Sequence, residues 1–181
     1  STQAKTLFPY TTLFRSGTAS YAGDIAKYGI EKWARVPVQV ELSHEFRYRD
    51  PILTPNTLVV AISQSGETMD TLMATRYAKE QGAKVLAICN TQGATLARES
   101  DAVIYTHAGP EVAVASTKAL TAQITAGYLL GLLLAQLRQS LPAAELAELG
   151  KELLRMPARV TKVIEGLDLA QQLGRKLADS K

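Results

Sequence analysis

Cysteine occurs once in this chain, at position 89, and histidine twice, at positions 44 and 107. A lone thiol builds neither a disulfide framework nor a cysteine metal site. Its place in the apolar run 85–89 marks it as a small core hydrophobe in a reducing, cytoplasmic setting. An excess of one charge is also missing: 20 basic and 17 acidic residues leave +3 over 181 residues, and the Lys and Arg are scattered without a basic stripe. Nucleic acid is therefore not an expected partner. The polar first residues lack the apolar core and cleavage site of a signal peptide. What remains, 46% hydrophobic and 20% charged, is the composition of an ordinary soluble globular protein. The length allows one well-cored α/β domain with an appendage.

The strongest local signal is the stretch 57–68, Thr-Leu-Val-Val-Ala-Ile-Ser-Gln-Ser-Gly-Glu-Thr. An apolar, partly β-branched run without polar alternation suits a strand buried on both faces of a parallel sheet, and such sheets bind ligands outside the carboxyl ends of their strands. Ser63, Ser65 and Thr68 are then expected at a site. Gly66 lets the backbone approach a ligand, and the unpaired amides and dipole of a helix beginning at Met69 favour an anion. The loop holds no Lys, its one charge, Glu67, is acidic, and the Gly-Lys-Ser/Thr ending of a Walker loop is absent. A phosphate monoester held by neutral donors fits this better than a magnesium-bound triphosphate. Taken alone, the same residues are equally ordinary turn and cap formers. Glu67 reads as a first-turn acid that orients the loop through the helix dipole, in preference to a proton-abstracting base.

Gly17 to Ser20 reads as a second turn at a helix start, with Tyr21, Ile25, Tyr28 and Trp33 spaced to share about one helical face. Stretch 36–42 alternates as a strand, Val38 and Val40 opposite Gln39 and Glu41. A polar helical turn at 43–50 is closed by Pro51 and Pro55, and Arg47, Arg49, Glu45 and Asp50 form an expected surface ion cluster. Further strands at 84–90 and 102–106, separated by helical stretches, predict right-handed crossovers and a parallel sheet: a three-layer, doubly wound α/β sandwich. A third turn-to-helix site, at 114–116, opens a long helix. Residues 119–137 carry no charge and are long enough to cross a membrane. Gln123, Thr125 and Gln136 interrupt the run, and burial against the sheet and a second domain or subunit is the expectation, with no membrane partner. From 141 onward, Ala-, Leu-, Glu- and Lys-rich helices broken by Pro142, Pro157 and Gly166 read as a linker. The expected organisation is a ligand-binding domain at 17–139 and a helical linker at 140–181. Residues 6–16, Thr-Leu-Phe-Pro-Tyr-Thr-Thr-Leu-Phe-Arg-Ser, read like one frame of a sequencing-library adapter. The segment 1–16 is therefore expected to be non-native and to have overwritten the strand leading into Gly17.

Ser63-Gln64-Ser65-Gly66-Glu67-Thr68, with Gly17-Thr18 upstream, Glu45-Phe46-Arg47-Tyr48-Arg49 between and Val114-Ala115-Ser116-Thr117-Lys118 downstream, resembles the isomerase region of the glutamine:fructose-6-phosphate aminotransferases, also called glucosamine-6-phosphate synthases. The likeness runs from 17 to 181 and falls on the first sugar isomerase (SIS) domain, whose sheet is flavodoxin-like. It implies that Ser63, Gln64, Ser65 and Thr68 bind the phosphate of fructose 6-phosphate or glucosamine 6-phosphate. It implies that Thr18, Val114, Ala115 and Ser116 line the sugar site, that no metal or organic cofactor takes part, and that the full-length protein is a homodimer. Many relatives carry cysteine where Ser16 stands and serine where Ala19 stands, so one hydroxyl near the phosphate is lost.

The resemblance further implies that the glutaminase domain and the second isomerase half, with its glutamate base, ring-opening histidine and sugar-contacting lysine, are missing. The chain is then a fragment without catalytic residues of its own, one that binds sugar phosphate but does not make glucosamine 6-phosphate. Two other readings are a stand-alone SIS sugar-phosphate sensor, which no helix-turn-helix signal supports, and a small phosphosugar isomerase completed across a homodimer. The latter would need acid-base groups from Glu67, His44 or His107, and loop histidines such as these are more often solvated.

Overall fold

The computed structural model of the chain describes residues 10–15, 17–112 and 116–178. Five strands, β1 (Tyr10–Arg15), β2 (Val38–Leu42), β3 (Thr57–Ser63), β4 (Lys84–Cys89) and β5 (Ala102–Tyr105), form one parallel sheet in the order β2-β1-β3-β4-β5. Residues 10–15 thus supply the strand that leads into Gly17, with Leu13 in register with Val40 on one side and Val60 on the other. Every residue of β3 is buried, as expected of the central strand of a sheet covered on both faces. Helix α1 (Ala19–Ala34) packs with the long helix α5 (Lys118–Arg138) on one face, while α2 (Ser43–Phe46), α3 (Met69–Glu80) and α4 (Thr95–Glu99) group on the other. Alternation along the strands fills the second face: Val59 and Ala61 of β3 with Val85 and Ala87 of β4 meet Phe46, Leu72, Ala78 and Leu96.

Helix α1 does not bury the face that its aromatic spacing predicts. Tyr21 and Tyr28 are 64% and 72% exposed and Ile25 is exposed as well, whereas Ala22, Gly23, Ala26, Gly29, Ile30 and Ala34 are buried. The reason is the closeness of α5. A Cβ on Gly127 would lie 2.5 Å from the Cβ of Ala26, so the two backbones approach along small residues and the large side chains turn outward. Trp33 alone of the predicted set reaches the junction, edge-on to Tyr128 with ring centroids 5.3 Å apart. The α5 run is long and apolar enough to cross a membrane by length and composition; here Ala126, Gly127, Leu130, Gly131 and Leu134 are buried against α1 and the sheet.

The expected ion cluster at 45–50 is dispersed. Arg49 pairs in a fork with Glu41 on β2, Asp50 accepts a hydrogen bond from the Tyr77 hydroxyl, and the Arg47 guanidinium lies 4.6 Å from the centre of the Tyr48 ring. Sequence neighbours are not the preferred partners once strand and helix bring Glu41 and Tyr77 alongside.

Contacts divide the chain after Pro142. The second unit contains α6 (Ala143–Glu165) and α7 (Asp168–Leu177), neither of which has a buried residue. Glu148 and Glu152 pair with Lys151, Arg155 and Arg159 along α6, and Pro157 sits inside that helix.

Candidate functional site

Strands β1 and β3 are neighbours, but the chain leaves β1 toward one edge of the sheet and β3 toward the other, so α1 and α3 begin on opposite faces. Such a switch point opens a crevice beyond the carboxyl ends of the strands. A cavity of about 200 Å³ lies there. Thr18 and Ala19 enter it from the start of α1; Ile62, Ser63, Gln64, Ser65, Thr68 and Thr71 from β3, its turn and α3; Ser116 and Gln123 from the α5 side. The structure therefore brings together Thr18, Ser63, Gln64, Ser65, Thr68 and Ser116 from segments nearly 100 positions apart in sequence. Val114 and Ala115, the other two expected residues, and Ser16 lie outside the described residues.

The turn after β3 is stiffened by its own side chains. Ser63 Oγ accepts the Gly66 amide at 3.0 Å and Ser65 Oγ accepts the Glu67 amide at 3.2 Å. Gly66 has φ +69°, and a Cβ there would come within 2.6 Å of the Ala94 Cβ and 2.7 Å of Cys89 Sγ, so both conformation and space require glycine. Its carbonyl accepts the Leu96 amide at 3.0 Å. Cys89 is the floor under this turn: burial raises its thiol pKa, which keeps it an inert packing group. Thr68 precedes α3 in extended conformation and makes no side-chain capping bond, leaving its hydroxyl and the first α3 amides available to an anion.

Glu67 orients the loop by a different route from the one expected. It lies before α3, and its Oε1 accepts the Thr95 amide at 2.8 Å, pinning the turn to the start of α4. Hydrogen bonds from the Thr95 backbone and side chain hold its carboxyl below the usual carboxylate range. That disposition suits an anchor and not a base.

Ser116 lines the cavity, but its hydroxyl accepts the Leu120 amide at 3.1 Å and lies 3.4 Å from Glu111 Oε2, to which it donates. Glu111 also accepts the amides of Thr117 (3.3 Å) and Ala119 (3.0 Å), which hold its carboxyl below the usual range, the Ala119 bond most strongly. This carboxylate caps α5, and no spacing rule points to it, because it lies outside the helix it caps. Thr71 and Gln123 are the other residues that motif reading does not single out. Thr71 Oγ1 is 3.3 Å from Ser43 Oγ.

The cavity is lined by neutral groups throughout. A wider, more open cleft of about 520 Å³ adjoins it through Gln64 and is lined by Asn90, His107 and Glu111 among others. His107 and His44 are both exposed, and neither lines the smaller cavity. Among the described residues no cluster of three or more His, Cys, Asp or Glu could hold a metal. Hydroxyls and helix-start amides can hold a phosphate dianion; no side chain in the lining can shuttle a proton at neutral pH.

The SIS domain family matches residues 13–133. Over 165 residues the chain is 63% identical to the glutamine–fructose-6-phosphate aminotransferase (isomerizing) of Corynebacterium efficiens, covering 91% of the chain and 26% of that protein. The enzyme of the same description from Streptomyces coelicolor is 60% identical over 162 residues, with 90% and 26% covered. The chain thus spans about a quarter of the length of these curated relatives. Among solved structures, the C-terminal domain of glucosamine-fructose-6-phosphate aminotransferase from Francisella tularensis superposes with a TM-score of 0.91 at 39% identity, over 98% of this chain and 50% of that one.

Proposed function

The chain belongs to the SIS domain family, and from that premise we propose that it is the phosphate-holding half of the sugar site of a glutamine–fructose-6-phosphate aminotransferase. The observation that carries this reading is the convergence of Thr18, Ser63, Gln64, Ser65, Thr68 and Ser116 on one uncharged cavity at the sheet's switch point. Identity of 63% across 91% of the chain supports the choice of enzyme within the family. The ligand is fructose 6-phosphate or glucosamine 6-phosphate. The phosphate rests on the α3 amides with Ser65 and Thr68, Ser63 and Gly66 keep the turn in shape, and the sugar extends toward Thr18 and Ser116.

Proton transfer between C1 and C2 of the sugar needs positioned acid and base groups, and these come from a second SIS domain; ammonia comes from a glutaminase domain. The relatives' length leaves room for both. The parent enzyme is a cytoplasmic homodimer without metal or organic cofactor, with residues 17–139 as the sugar-phosphate domain and 140–181 as a linker to the second half. Residues 1–16 are of non-native origin. In support, residues 6–16 read like one frame of a sequencing-library adapter. Resequencing the source DNA tests that point, and a native frame preserving residues 6–16 would overturn it.

Calorimetric titration tests the binding claim. Fructose 6-phosphate is expected to bind saturably while unphosphorylated fructose does not, and Ser65→Ala and Thr68→Ala each weaken binding by roughly tenfold or more, as for loss of a hydrogen bond to a charged group. Binding of fructose equal to that of its phosphate, or unaffected variants, would sink the reading. Incubation with fructose 6-phosphate and ammonia is expected to yield no glucosamine 6-phosphate.

A further inference from the structure

The uncharged run of α5 carries five side chains with hydrogen-bonding groups, Thr121, Gln123, Thr125, Tyr128 and Gln136. Thr121 and Thr125 are exposed and donate back to the carbonyls of Thr117 and Thr121, at 3.3 and 2.9 Å. Tyr128 packs on Trp33, and Gln136 is exposed. Gln123 differs from all four. It is 2% exposed, it lines the cavity at the switch point, and its carboxamide makes no hydrogen bond with the described residues. Among the described residues the fully buried polar atoms without a partner are Thr11 Oγ1 and Thr75 Oγ1, and neither carboxamide atom is one of them, so the amide opens to the cavity, where a ligand can meet it.

The position of Gln123 indicates which part of a ligand it meets. Helices α3 and α5 lie on opposite faces of the sheet, so the cavity has an α3 wall, where the free amides are, and an α1–α5 wall. A phosphate seated on the α3 wall directs the remainder of its ligand to the other. On that wall Ala19 has no polar group and the Ser116 hydroxyl is engaged with Glu111 and Leu120. Thr18 and Gln123 are left. We propose that Gln123 is a specificity-determining residue of this site, pairing its carboxamide with a hydroxyl or carbonyl oxygen on the carbon skeleton of the sugar phosphate. The inference rests on the sugar-phosphate reading above. A carboxamide both donates and accepts, so it satisfies a hydroxyl in either sense, and a neutral group on the far wall contributes little to the phosphate itself.

The test uses the 181-residue chain, wild type and Gln123→Met, which keeps the length of the side chain without its donors and acceptor; Gln123→Leu serves as a second apolar variant. Each is titrated with fructose 6-phosphate and with inorganic phosphate, and melted without ligand. Fructose 6-phosphate affinity is expected to fall about tenfold or more in the variants while inorganic phosphate affinity stays within about twofold. The ligand-free melting temperature is expected to stay within about 2 °C, because the amide opens to the cavity and gives up no hydrogen bond to the described residues. A merely structural glutamine would lower it. Unchanged fructose 6-phosphate binding, equal losses for both ligands, or lower melting temperatures in both variants would overturn the inference alone. A folded wild type that binds no fructose 6-phosphate overturns the underlying reading and this inference with it.

Discussion

At the scale of single residues, Glu67 connects the turn after β3 to the rest of the fold. Its carboxylate accepts the Thr95 amide, and this bond lowers its folded-state pKa. A depressed carboxylate pKa contributes stability that is present above the unfolded value of about 4.3 and is lost as pH falls through the folded one. Glu67→Gln keeps an acceptor oxygen and removes the charge. In urea unfolding, wild type is therefore expected to exceed Glu67→Gln in stability at pH 7, and the gap is expected to close as the pH drops below about 4. A gap of constant size across that range would assign the effect to packing. Ser63, Ser65, Gly66 and Thr68 were legible as a strand-to-helix turn because strand, hydroxyls, glycine and helix are adjacent in the chain. The partner of Glu67 was not, since Thr95 lies 28 residues away and is brought near only when β4 sets α4 beside the turn.

At the scale of elements, the contact of α1 with α5 sets two local preferences against each other. Alanine exceeds glycine in a helix interior by about 1 kcal/mol, which argues that Gly127→Ala should stabilise. A Cβ at 127 would stand 2.5 Å from the Cβ of Ala26, whose own helix backbone cannot swing aside cheaply. Overpacking of that kind costs about 1–3 kcal/mol. The net expectation is destabilisation by roughly 1–2 kcal/mol, read as a lower urea midpoint without change in slope; a higher midpoint would mean the helices separate freely. The same contact explains why the α1 face was misread. Hydrophobic periodicity weights Tyr21, Ile25 and Tyr28 above Ala22, Ala26 and Gly29, yet the residues that let two helices meet closely are the small ones.

At the scale of the whole molecule, the two units differ in what holds them. Every residue of β3 and five of the six residues of β4 are buried, whereas α6 and α7 bury none and expose Leu154, Val163, Ile164, Leu169 and Leu173. Segments with few buried contacts open at low free-energy cost. Hydrogen exchange is expected to be slowest for the β3 and β4 amides and fast throughout 143–177; protection of α6 equal to that of β3 would show that helix to be held as firmly as the core. The layer architecture, the parallel sheet, the turn at 63–68 and the linker-like composition after 141 were determined by the sequence by itself. They rest on periodicity, propensity and turn chemistry, all of which act between residues close along the chain. Tertiary structure alone decided the buried face of α1, the partners of Arg49, Asp50, Glu67 and Glu111, and the placing of Gln123 in one cavity with the turn after β3. These depend on which elements cross at the switch point, and such distances are set by sheet order and helix approach, quantities that no local pattern encodes.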